Sequence, residues 1–222
     1  MIPIRDENPL QGTPYVTLGI IALNVLVYLY QFTMSPQREL VFAYQYGVVP
    51  ALLTGALEVP QTLAWFPQPL TLITSVFLHG GFLHLAGNML YLWIFGNNVE
   101  DYLGAVRFIL FYLVSGLGAS LTHILTHPNS QVPMIGASGA IAGILGAYLL
   151  LYPSARIITL VFIFIVPIPA AIILIIWFVG QITNVGLGGG VAWFAHIGGF
   201  LIGMALIRYY INKERQRAVI VE

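Results

Sequence analysis

Apolar residues come in long runs separated by short polar interruptions, and these runs, not a two-residue alternation, set the architecture. Crossing about 30 Å of hydrocarbon takes roughly 20 helical residues at 1.5 Å each. Such stretches fall at 15–32, 82–97, 105–125, 137–152, 169–186 and 192–211, which predicts six spanning helices. Two are short for a span, a deficit that tilt or local bilayer thinning absorbs. Met1 to Gly12 is polar and no small-residue cleavage site follows it, so the first span reads as uncleaved and not as a signal peptide. Residues 157–166 are apolar, rich in β-branched side chains and end in Pro167-Ile168-Pro169. The reading there is an apolar connection on the cytoplasmic side with Pro169 opening the fifth helix; one long kinked helix from Ile157 is the alternative.

Composition agrees with the pattern. Of 222 residues 59% are hydrophobic and 7% charged, with a mean hydropathy of +0.89, the signature of a polytopic membrane protein. The predicted class is all-α, a six-helix bundle forming one domain over residues 1–222, with a short N-terminal segment (1–12) and a C-terminal tail (212–222). Zero net charge and no basic block give no footing for nucleic acid, and the absence of Cys removes disulfides and thiolate chemistry.

The basic residues orient the bundle. With the N-terminus inside, Arg5, Arg107, Arg156, Arg208, Lys213, Arg215 and Arg217 lie on the cytoplasmic side and Arg38 alone outside. The expected location is a bacterial-type plasma membrane. Thr33 to Leu70 then forms a long external loop between the first two helices, poor in charge and rich in Pro50, Pro60, Trp65, Phe66, Pro67 and Pro69, which suits the membrane interface.

Polar residues inside spans are costly unless paired or wet. His84 and Asn88 open the second span, Ser138 the fourth and His196 the sixth, so four chemically able groups share one membrane depth near the outer face. Each alone reads as an interhelical hydrogen-bonding group. Ser138, Ala142 and Gly146 form a small-residue stripe, and His196, Gly199 and Gly203 another, so two backbones can approach and bring a hydroxyl to an imidazole. Ser138 at a helix N-terminus offers a free N–H and a positive dipole end to an oxyanion, with His84 and Asn88 donating from the side. The eight acids, Asp6, Glu7, Glu39, Glu58, Glu100, Asp101, Glu214 and Glu222, are placed in loops or tails, so a Ser-His dyad is predicted without a carboxylate. No metal or cofactor is expected: there is no His-Glu-xx-His pattern and no aspartate within a span.

These pieces resemble the rhomboid intramembrane serine proteases. His79 and His84-Leu-Ala-Gly-Asn88, Gly136-Ala-Ser138-Gly139, and Ala195-His196-Ile-Gly-Gly199-Phe-Leu-Ile-Gly203 match that family's HxxxN, GxSG and AHxxGxxxG patterns in order. The resemblance implies Ser138 as nucleophile, His196 as general base and then acid, and Asn88, His84 and the Ser138 N–H as oxyanion donors. His79 is implied as a supporting polar residue, and the Gly186–Gly190 run as a flexible cap.

The chain departs from that pattern in two places. The external loop lacks the Trp-Arg pair of some members. Ala142 stands where some place an aromatic on the catalytic His, so orientation of His196 falls to another neighbour, such as Trp193 or Phe194. Gly96-Asn-Asn-Val-Glu100 resembles a family loop whose Glu fixes helix ends. The implied partners are transmembrane protein substrates entering laterally beside the fifth helix, locally unwound at small or helix-breaking residues. A catalytically inactive rhomboid-like chaperone that binds membrane proteins is the competing reading, against which both Ser138 and His196 count.

Overall fold

The structure is a computed structural model that describes residues 1–58, 60, 66–187 and 190–221, without the side chains of 215 and 217–221. In chain order the elements are β1 (Ile2–Asp6), α1 (Tyr15–Phe32), α2 (Pro36–Tyr46), α3 (Pro50–Leu53) and α4 (Thr71–Thr74), the last flanked by tight turns at Gln68–Leu70 and Ser75–Phe77. Then come α5 (Phe82–Tyr91), a wider π-type turn at Leu92–Gly96, α6 (Asn97–Leu103), α7 (Ala105–Thr126), α8 (Ser138–Leu151), β2 (Arg156–Val161), β3 (Phe164–Pro169), α9 (Ala170–Thr183) and α10 (Trp193–Val221).

Helices occupy all six apolar stretches. Among the described residues, Tyr15–Phe32, Ala105–Thr126 and Trp193–Glu214 are long and apolar enough to cross a membrane, and a fourth span counts if Gln68–Phe77 and Phe82–Leu103, bent by 80°, act together. At 14 residues each, α8 and α9 are shorter. On α1 the burial pattern is inverted, as a lipid-facing helix requires. On α1 the polar Thr17, Asn24 and Gln31, seven residues apart on one face, are buried, while Tyr15, Leu26 and Phe32 are exposed.

Four sequence expectations need correcting. The fold is not all-α, because β1, β2 and β3 form an antiparallel sheet in that order, Ile2 facing Leu160 and Arg156 facing Pro169. The β-branched run Ile157-Ile158-Thr159 favours a strand over either predicted alternative. Pro167 and Pro169 are tolerated because β3 is an edge strand. Second, the segment 33–70, expected as an external loop, is in part helical: Ser35 caps α2 by accepting from the Arg38 N–H at 3.4 Å, with Pro36 at the first helical position. Trp65 lies outside the described residues. Third, several acids are in regular structure, Glu39 in α2, Glu100 and Asp101 in α6, Glu214 in α10 and Asp6 in β1. Fourth, the 212–221 part of the tail is a continuation of α10.

Glu100 does fix a helix end, from within α6 and not from a loop. Pro14 gives α1 no side-chain cap, and the Glu100 carboxylate accepts instead from the N–H groups of Val16 (2.9 Å) and Thr17 (2.7 Å). Asp101 accepts from the N–H groups of Gln11 and Gly12 in the same way. β1 is tied down by Asp6, whose Oδ2 accepts from the Asn98 amide at 2.6 Å and the Tyr148 hydroxyl at 2.9 Å.

α8 is the central helix, packed between α7 and α10, and Ala140 to Tyr148 are all buried. The approach is backbone on backbone. A Cβ on Gly199 would fall on the Gly139 carbonyl, one on Gly203 on the Gly143 carbonyl, and one on Gly146 on the Phe200 carbonyl. On the other side, a Cβ on Gly139 would stand 2.6 Å from the Ala119 Cβ and one on Gly143 2.5 Å from the Ser115 Cβ. Gly139 and Gly143 therefore belong to the contact with α10 as much as the Ser138-Ala142-Gly146 stripe does.

Two predictions follow from this packing. Gly199→Ala and Gly203→Ala each lower unfolding stability in detergent by about 1–3 kcal/mol through overpacking, whereas Gly19→Ala, with open space around it, costs nothing or gains up to about 1 kcal/mol. Burial raises the Asp6 pKa above the usual carboxylate value of 3.8, against the smaller lowering by its Tyr148 and Asn98 hydrogen bonds. The folded state then holds that proton more tightly than the unfolded chain, so Asp6 favours folding at acid pH and loses this contribution as pH rises through its raised pKa. Denaturation measured against pH shows that slope in the parent protein and a flatter one in Asp6→Asn.

Candidate active site

Ser138 is the first residue of α8. The preceding Gly136 takes φ +123°, a conformation that L side chains rarely adopt, and its N–H donates to the Ser75 carbonyl at 2.9 Å. A Cβ at Gly136 would lie 2.7 Å from His84 Nε2 and 3.6 Å from Asn88 Nδ2. Only glycine lets the chain entering α8 pass so close to the face of α5 that carries those two groups. As the first residue of the helix, Ser138 has no intrahelical acceptor for its own N–H.

His196 sits in the first turn of α10, and the glycine contacts between α8 and α10 carry it across. Its Nε2 lies 2.8 Å from Ser138 Oγ. Its Nδ1 lies 2.7 Å from Gln181 Oε1 on α9. Trp177, one turn before Gln181, places its ring 5.9 Å from the imidazole, and the Trp193 ring is 6.3 Å away, edge to face. Phe194 packs instead on His127, at 5.5 Å, and so does not orient His196.

The donors opposite the serine are held by an older layer of contacts. Asn88 Nδ2 donates to His79 Nε2 at 2.9 Å, which fixes the amide and leaves its second N–H directed elsewhere. His79 is fully buried. Its backbone is clamped by Gln31, whose Oε1 accepts from the His79 N–H at 3.0 Å and whose Nε2 donates to the His79 carbonyl at 3.2 Å. The His79 and His84 rings meet edge to face at 5.1 Å. A long contact, 3.4 Å, has the Gly80 N–H donating to His84 Nδ1, which makes Nε2 the ring's donor toward Gly136.

Ser138, His196, His84, Asn88 and Trp177 line one cavity of about 860 Å³. Gly190, Val191 and Ala192 form part of its rim, while residues 188–189 of the expected cap lie outside the described residues. A serine hydroxyl bonded to an imidazole, with N–H donors across a shared cavity, is an arrangement of the kind that acyl transfer uses. Gly136, Gly139, Gly199 and Gly203 shape the approach and offer no reacting group.

Sequence reading missed Gln181 and Gln31. Each is a lone amide in an apolar helix, and that isolation was the available signal; which neighbour each would meet depended on packing that periodicity does not define.

A family model described as the rhomboid domain matches residues 67–213. Rhomboid protein 1, mitochondrial, of Saccharomyces cerevisiae is 36% identical over 161 residues, covering 67% of this chain and 44% of that protein. RHOMBOID-like protein 6, mitochondrial, of Arabidopsis thaliana is 34% identical over 200 residues, 87% of this chain and 60% of that one. Rhomboid protease GluP of Bacillus subtilis is 40% identical over 135 residues, 60% of this chain and 24% of its own length. The chain thus spans about half the length of the curated relatives it matches first.

Gly136→Ala is the sharpest test of the arrangement. It forces a strained φ and pushes His84 aside, so it lowers stability by about 1–3 kcal/mol and changes the His84 ring resonances in NMR spectra, while Gly180→Ala, with open space at its Cβ, leaves them in place.

Proposed function

This chain belongs to the rhomboid family, and on that premise we propose that it is an intramembrane serine endopeptidase hydrolysing peptide bonds in or near transmembrane segments of other membrane proteins. The observation that carries the reading is the 2.8 Å contact between Ser138 Oγ and His196 Nε2 at the wall of an 860 Å³ cavity. A relative named as a protease, from B. subtilis, supports the reaction class.

In this reading α1, the α5–α6 segment (Phe82–Leu103), α7, α8, α9 and α10 are the six spans. At 14 residues, α8 is only about 21 Å long, which sinks its N-terminal serine below the membrane surface. The arginines and Lys213 orient the termini inward and open the cavity to the opposite side. The named relatives include mitochondrial and bacterial proteins, so family membership does not by itself choose the compartment.

Ser138 Oγ attacks the scissile carbonyl carbon while His196 Nε2 takes its proton. The Ser138 N–H, the free Asn88 amide N–H and His84 Nε2–H stabilise the oxyanion. His196 then protonates the leaving amine; water, deprotonated in turn by His196, attacks the acyl carbon, and His196 returns that proton to the departing Ser138 Oγ. Extended backbone at the scissile bond is required, which favours substrates with small or helix-breaking residues there.

Cleavage of a single-span reporter in proteoliposomes tests the proposal. The parent protein cleaves, and Ser138→Ala and His196→Ala each reduce the rate by at least about 10³-fold, with loss of fluorophosphonate labelling at Ser138. Equal cleavage by Ser138→Ala refutes the protease reading. Binding of the reporter without cleavage by any form favours the chaperone-like role.

A further inference from the structure

Gln181 explains what no carboxylate does. Its side chain is buried at 7% exposure on α9, and its two polar atoms have separate partners: Nε2 donates to the Trp177 carbonyl at 3.0 Å, and Oε1 faces His196 Nδ1 at 2.7 Å. A carbonyl can only accept, so the Trp177 oxygen dictates which end of the amide is which. The remaining Oε1 can likewise only accept. Nδ1 of His196 must then carry the proton, and in neutral imidazole that leaves Nε2 as a lone pair aimed at Ser138 Oγ, 2.8 Å away.

We propose that Gln181 is a positioning residue that locks His196 in the Nδ1–H tautomer, making its Nε2 the general base for Ser138. The inference rests on the protease reading for its effect on rate, but the tautomer itself is independent of it. Trp177 and Gln181, four residues apart on α9, bear on the same imidazole: Trp177 directly by its ring and, through its carbonyl, by fixing the Gln181 amide, whose oxygen faces Nδ1. They fill the place left by Ala142, which offers α8 no aromatic to set against His196. A neutral amide also suits the location. An aspartate there would have to be buried as a charge, at a cost an amide avoids, while Oε1 still accepts from the imidazolium that forms when Ser138 loses its proton.

The test uses the full chain with ¹⁵N-labelled histidine in lipid nanodiscs, at mildly alkaline pH where imidazole is neutral. The His196 spectrum of the parent protein shows Nδ1 protonated and Nε2 bare. Gln181→Met, which keeps length and removes the acceptor, shifts His196 toward the Nε2–H form and lowers kcat for the reporter by about 10²-fold or more, with KM changed less than about threefold. An Nε2–H His196 in the parent protein overturns the proposal and needs no variant. So does a Gln181→Met protein whose tautomer and kcat both match the parent. A parent protein with the expected tautomer that fails to cleave while Ser138 is intact refutes the protease reading alone and leaves the hydrogen-bond assignment standing.

Discussion

Backbone contact between α8 and α10 is the constraint on which the rest depends. At the crossings of Gly199 with the Gly139 carbonyl and of Gly203 with the Gly143 carbonyl, backbone meets backbone. In hydrocarbon, helix association gains little from apolar burial and relies on close packing of this kind. The 2.8 Å separation of Ser138 and His196 is consequently fixed by main-chain geometry. α7 closes the same helix from behind through Ala119 and Ser115, leaving α8 no direction in which to relax.

Around that pair, several buried polar groups are matched to one another across helices. Gln31 satisfies the His79 backbone, His79 receives Asn88, and Gln181 receives His196. The chain of contacts runs from α1 through the loop before α5, and separately from α9 to α10. α1 and α9, which carry neither Ser138 nor His196, therefore hold His79, and through it Asn88, and His196 in place. The same economy holds at the opposite end, where Glu100 and Asp101 take up N–H groups around the start of α1 and Asp6 joins Asn98 to Tyr148.

The helices could be read from the sequence because a span needs a continuous apolar run, and such runs have few other uses. Ser138, His196, His84 and Asn88 stood out because each is a polar interruption at the same end of such a run. The stripes were harder: periodicity put Ala142 and Gly146 on the face toward α10, yet Gly139 and Gly143 are equally engaged, since a helix at this separation presents its whole small-residue surface. Residues 157–166 were apolar enough to pass for membrane, and only their β-branching hinted at a hairpin. β1 carried no visible signal, because five residues of mixed character become a strand only when a partner edge is supplied. Gln181 and Gln31 were conspicuous as amides, but their partners sit on other helices, and no one-dimensional pattern encodes which neighbour a lone amide will face.

That dependence of β1 on a distant edge has a temporal side. Residues 2–6 pair with 157–160, so the strand has no partner until the chain has grown by some ~150 residues, a wait of roughly 8–30 s at ordinary rates of synthesis. By then α1, α5, α7 and α8 have all been made. The sheet thus cannot begin to close until α8 has been made, while α9 and α10 are still to come.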